Sequence, residues 1–128
     1  MALAKLLLVL AGVFDLAFAA FHLGFWKIFR WRDELPKLSF ANRGILQILN
    51  LCLTYVFLVM GAACLFLADD LTTSRIGRMA LASFAVFWAL RAMYQPVFFA
   101  LRHPVSIGLF VAFLLGTALH LLPLLGSI

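Results

Sequence analysis

Residues 44–68 read GILQILNLCLTYVFLVMGAACLFLA, an uncharged run of 25 residues. A helix rising about 1.5 Å per residue needs about 20 apolar residues to cross the hydrocarbon of a bilayer. This run is long enough, and its polar residues are not scattered. Arg43, just ahead of it, and then Gln47, Asn50 and Thr54 follow at steps of four, three and four, which returns each to the same helix face. A membrane β-strand would be about 10 residues long with alternating polarity, and no such alternation is present. The stretch predicts a spanning helix with one polar stripe.

Working outward, three further stretches of the same kind occupy approximately residues 3–28, 77–101 and 105–125. Hydrophobic residues make up 66% of the chain and charged residues 12%, against about 45–50% and about 25% in soluble domains. The expected fold is all-α, a four-transmembrane-helix bundle forming a single domain over residues 1–128. Lys5, the run Leu6 to Val13 and Ala17-Phe18-Ala19 also resemble a signal peptide. Asp15 inside that core, and the unbroken apolar run through Phe21, Leu23, Phe25 and Trp26, favour an uncleaved first span instead.

The long connection, residues 29–43, carries mixed charge, Pro36 and flanking aromatics. Trp26, Trp31 and Phe40 suit headgroup depth, while Leu35 and Leu38 suggest a short segment lying on the interface. Ser39 or Asn42 can cap the second helix, Thr72, Thr73 and Ser74 the third, and Pro104 can start the fourth. Pro96 falls inside the third span and predicts a kink. Lys27, Arg30, Arg32, Lys37, Arg43 and Arg102 flank the 29–43 and 101–104 loops, against Lys5, Arg75 and Arg78 on the other side. The positive-inside rule then puts those two loops in the cytoplasm and both termini outside it. The net charge of +5 is accounted for by topology and attraction to anionic headgroups. No soluble basic face is available for nucleic acid.

The polar residues within the spans form stripes. Helix one carries Asp15, His22 and Trp26; helix three Trp88, Arg91, Tyr94 and Gln95; helix four His103, Ser106, Thr117 and His120. Ionisable groups in a span are costly and face the bundle interior. Asp15 and Arg91 both lie near mid-span, so an Asp15–Arg91 ion pair is expected. Arg43, Gln47, Asn50, Arg91, Tyr94, Gln95 and His22 gather toward the cytoplasmic half. There they suit an amphipathic small molecule or lipid with a polar or anionic head. The alternative is that these groups only hydrogen-bond one another and fix helix register.

Other chemistries find little support. Cys52 and Cys64 stand about 18 Å apart on one helix and cannot bridge. Metal-ligand spacing, CxxC, a phosphate loop and GxSxG are all absent, so no metal site and no reaction are expected from motifs. His22 and His120 fall in opposite halves, which argues against shared haem ligation. Gly108, Ala112 and Gly116, like Ala82, Ala85, Ala89 and Ala92, form small-residue ridges suited to close helix packing, within the bundle or against a partner.

On these features the chain resembles the MAPEG superfamily, membrane-associated proteins in eicosanoid and glutathione metabolism. The likeness rests on size, four spans, a long first loop, Arg43-x3-Gln47-x2-Asn50 on helix two and Arg91-x2-Tyr94-x3-Phe98 on helix three. It implies a homotrimer binding glutathione between subunits through Arg43, Gln47, Asn50, Arg91 and Tyr94. The family's Asn and Glu on helix two are Gln47 and Asn50 here, which removes the acid expected to hold the glutathione amine. A ligand-binding member with lost or altered chemistry is therefore expected rather than a transferase. An accessory subunit of a membrane complex, docking through Gly108, Ala112 and Gly116, is the alternative; a small transporter or channel is a third reading.

Overall fold

The computed structural model describes residues 1–126; Ser127 and Ile128, the end of the expected domain, lie outside the described residues. The chain forms α1 (Ala2–Leu23), α2 (Phe25–Ile28), α3 (Trp31–Glu34) and a 3-10 turn at Leu35–Lys37. These are followed by α4 (Phe40–Phe66), α5 (Ala68–Thr73), α6 (Arg75–Phe99) and α7 (Pro104–Leu125). Among the described residues there is no strand, and α1, α4, α6 and α7 are long and apolar enough to cross a membrane.

The helix boundaries follow local chemistry. Ser39 accepts from the backbone N–H of Asn42 at 3.3 Å and opens α4. Ser74 accepts from that of Gly77 at 2.9 Å and opens α6; each is an N-cap bond to an otherwise orphaned donor. Pro104 is the first residue of α7, where its missing N–H costs nothing. Pro96 lies in the last turn of α6, which continues through it to Phe99. The first span is shorter than expected: α1 stops at Leu23 rather than running to residue 28. Gly24 is a poor helix former, and the Asn50 side chain donates at 2.9 Å to the His22 carbonyl, one of those released where a helix ends. This break sends α2, with Trp26 and Lys27, into the connecting segment rather than the span.

α1 packs against both α4 and α7, and α7 against α6. The α1–α4 crossing is set by Gly12 and Gly61: a Cβ on either would sit 3.0 Å from the other's carbonyl oxygen. The backbones of α4 and α6 do not pack closely. Aromatic rings span that side, with Phe57 of α4 stacked on Trp88 of α6 at 5.2 Å and edge-on to Phe87 at 5.6 Å. One core layer contains Leu8, Ala11, Cys64, Leu71, Leu81 and Leu119. A second contains Ala19, Phe57, Met60, Trp88, Ala92 and Phe113.

The two small-residue ridges divide between inside and outside. Gly116 is buried, and a Cβ there would meet Phe14 at 2.7 Å and Trp88 at 3.0 Å. Gly108 faces open space, so Gly108, Ala112 and Gly116 do not present one outward docking face. On α6, Ala85 and Ala92 are buried while Ala89 is exposed.

Candidate ligand-binding site

An open cavity of about 580 Å³ lies at the end of the bundle where residues 24–47 fold back on themselves. Its shape comes from the Gly24 break and a left-handed turn at Arg30 (φ 53°, ψ 44°). α3 and the 3-10 turn then lie beside α2, burying Trp31 and Leu35. Trp26 and Trp31 meet edge to face at 4.8 Å and form an aromatic wall. Lys27 and Arg32 contribute cations from the folded-back segment, and Arg43 and Gln47 close the cavity from the first turns of α4.

Electrostatics gives this cavity one sign. The acids of the segment are paired locally, Asp33 with Arg30 at 3.1 Å and Glu34 with Lys37 at 2.9 Å. Lys27, Arg32 and Arg43 form no ion pair among the described residues. The Arg43 Nε is buried without a hydrogen-bond partner. A buried N–H donor on a cation is costly to leave unmet. Gln47, also in the cavity lining, donates at 3.1 Å to the Arg43 carbonyl.

Of the seven residues expected to bind a ligand, only Arg43 and Gln47 line this cavity. His22 and Asn50 form a closed pair. Asn50 donates to the His22 backbone, so its Oδ1 accepts from His22 Nδ1 at 2.8 Å, and the His22 ring stacks on Phe25 at 4.3 Å. Arg91 donates to Gln95 at 3.0 Å and lies 4.2 Å above the Phe113 ring. Gln95 donates to Ser106 at 2.9 Å, and Ser106 donates to the Ala100 carbonyl at 2.5 Å. That chain pins the α6–α7 turn, where Ala100 takes the strained backbone angles φ 55° and ψ 166°. Tyr94 is 45% exposed and faces away from the bundle, near Phe98.

The Asp15–Arg91 pair is not formed. Asp15 is fully buried and accepts from the Trp88 indole N–H at 3.0 Å, while its other oxygen lies 3.0 Å from His120 Nε2. Arg91, one turn beyond Trp88 on α6, turns instead to Gln95 and Phe113. His120 Nδ1 lies 2.7 Å from the Gly116 carbonyl, which can only accept, so Nδ1 carries a hydrogen. Asp15 and Nε2 therefore share a single proton and are neutral as a pair wherever it resides. That satisfies a mid-helix carboxyl at lower desolvation cost than a separated charge.

Cys64 belongs to the same centre. One ligand atom each from Asp15, Cys64 and His120 lie within 4.8 Å of one another, and all three residues are buried. Sequence reading missed this grouping because its members come from three helices and counting along the chain separated His120 from Asp15 in depth. Trp26 and Trp31 carry a visible signal, aromatic residues beside bases, which the sequence reading assigns to headgroup depth and, for Trp26, to the polar stripe of the first helix.

Comparison with known proteins returns no family model, no curated protein and no solved structure that matches the chain.

Proposed function

We propose that this chain is an integral membrane protein that binds an anionic amphiphile, with the headgroup in the cavity formed by Trp26, Lys27, Trp31, Arg32, Arg43 and Gln47. The observation that carries this reading is the buried, unpartnered Nε of Arg43 beside a cavity with cations and no acid in its lining. Phosphate or carboxylate oxygens would meet that donor. The tryptophan wall suits the boundary between headgroup and acyl chain. The excess of Lys and Arg at this end supports a cytoplasmic position for the cavity, with both termini on the opposite side.

The MAPEG likeness survives in this proposal as the use of Arg43 and Gln47 for a polar head. Its glutathione chemistry fits less well, because no carboxylate lines the cavity to take an amine. A phospholipid or fatty-acid head with net negative charge is the better match, and no reaction is assigned.

The test is lipid retention in nanodiscs, read by native mass spectrometry and by tryptophan fluorescence. Anionic phosphatidylglycerol should bind saturably and phosphatidylcholine should not. Loss of one charge-assisted contact, about 1.5–3 kcal/mol, makes Arg43→Ala bind about ten- to a hundredfold more weakly. Tyr94→Phe should bind normally, because Tyr94 is outside the cavity. Retention indifferent to both headgroup charge and Arg43 would overturn the proposal.

A further inference from the structure

The centre formed by Asp15, Cys64 and His120 is separate from the cavity and has a different chemistry. We propose that it is a binding site for a divalent transition metal, of which Zn²⁺ is the best match. The donor set is one carboxylate, one imidazole and one thiol, from α1, α7 and α4, within 4.8 Å of one another. A mixed S, N and O set is characteristic of borderline-soft ions such as zinc, and unsuited to magnesium or calcium.

A second observation is the way groups outside the cluster, the Trp88 N–H and the Gly116 carbonyl, orient two of its members. His120 Nδ1 donates to the Gly116 carbonyl at 2.7 Å, which directs Nε2 at the centre. The Trp88 N–H holds one Asp15 oxygen at 3.0 Å and leaves the other facing His120. An imidazole whose far nitrogen is tied to a carbonyl, beside a carboxylate fixed by a donor, is the usual outer shell of a metal site.

Distances and charge are compatible with an ion. Zinc bonds of about 2.0–2.3 Å in a tetrahedral arrangement place donors about 3.3–3.8 Å apart. The Asp15–His120 contact of 3.0 Å would open slightly and Cys64 would move in. The ion would displace the thiol proton and the proton shared by Asp15 and His120. Its two positive charges then offset the thiolate and carboxylate, and the fully buried centre stays neutral. Because the donors meet only when α1, α4 and α7 are assembled, the ion is loaded as the bundle forms.

The experiment uses the full chain, produced with zinc in the medium, extracted in detergent without chelator, desalted and assayed by elemental mass spectrometry. Roughly one zinc per chain is expected in the wild type and in Cys52→Ala. Cys64→Ala should retain at least about tenfold less. Protein produced with cobalt instead should show thiolate-to-cobalt charge-transfer absorption, which depends on the wild type alone and so survives any folding defect of a variant. Substoichiometric zinc in the wild type, unchanged occupancy in Cys64→Ala, or bound cobalt without the thiolate band would each overturn the assignment.

Discussion

Asn50→Leu is the substitution whose cost the structure specifies most closely. Asn50 is 6% exposed and makes two bonds to one residue, donating to the His22 carbonyl at 2.9 Å and accepting from His22 Nδ1 at 2.8 Å. Leucine fills a similar volume, so little of the loss comes from packing. Interhelical side-chain bonds in membranes average about 0.6 kcal/mol and reach about 1.7. Two of them predict a loss of about 1–3 kcal/mol. His22→Phe removes only the ring bond and keeps an aromatic ring against Phe25, while Asn50 still reaches the His22 backbone. A double-mutant cycle on unfolding in bicelles should therefore return a coupling of about 0.6–1.7 kcal/mol. The backbone bond also holds α1 where it ends at Leu23, so Asn50→Leu should weaken retention of anionic lipid more than His22→Phe does. A coupling near zero, with lipid retention unchanged in both variants, would refute the argument that this pair fixes the bend before Trp26.

Other expectations follow from single contacts. Gly116→Ala places a Cβ 2.7 Å from Phe14 and 3.0 Å from Trp88, an overpacking expected to cost about 1–3 kcal/mol and to lower Tm. Gly108→Ala meets no atom within 4 Å and should raise stability by about 0.5–1 kcal/mol; a fall would show that Gly108 is covered by something outside the chain. Trp88→Phe keeps a ring against Phe57 and Phe113 but removes the donor to Asp15, for a loss of about 1–3 kcal/mol in the same unfolding assay. Lys5→Ala breaks a 2.8 Å pair with Asp69 whose partners are 54% and 73% exposed, so its effect should stay within about 0.5 kcal/mol.

The four long helices were legible because a run of about 20 apolar residues has few alternatives, and the helix starts near Ser39, Ser74 and Pro104 were legible because capping and proline act within one turn. Pairing of side chains between helices was not. Periodicity correctly turned Asp15 inward, but the residue it meets depends on rotation and axial offset, which no local pattern records. Arg91 was the obvious opposite charge, yet a tryptophan one turn away and a histidine on the last helix satisfy the carboxyl instead. The cavity was half legible. Arg43 and Gln47 were named from their stripe, whereas Lys27 and Arg32 reach it only because the first helix ends five residues early (at Leu23, not residue 28) and the segment folds back.

The origin of Asp15's partners has a consequence for how the protein is made. Trp88 and His120 lie on α6 and α7, the last two long helices to be synthesised, while Asp15 lies on the first. Until the second half of the chain emerges, the nascent protein carries a carboxyl with neither of its native hydrogen-bond donors. A chain truncated after α4 would lack both partners, so the Asp15 carboxyl gains its native contacts only once α6 and α7 are in place.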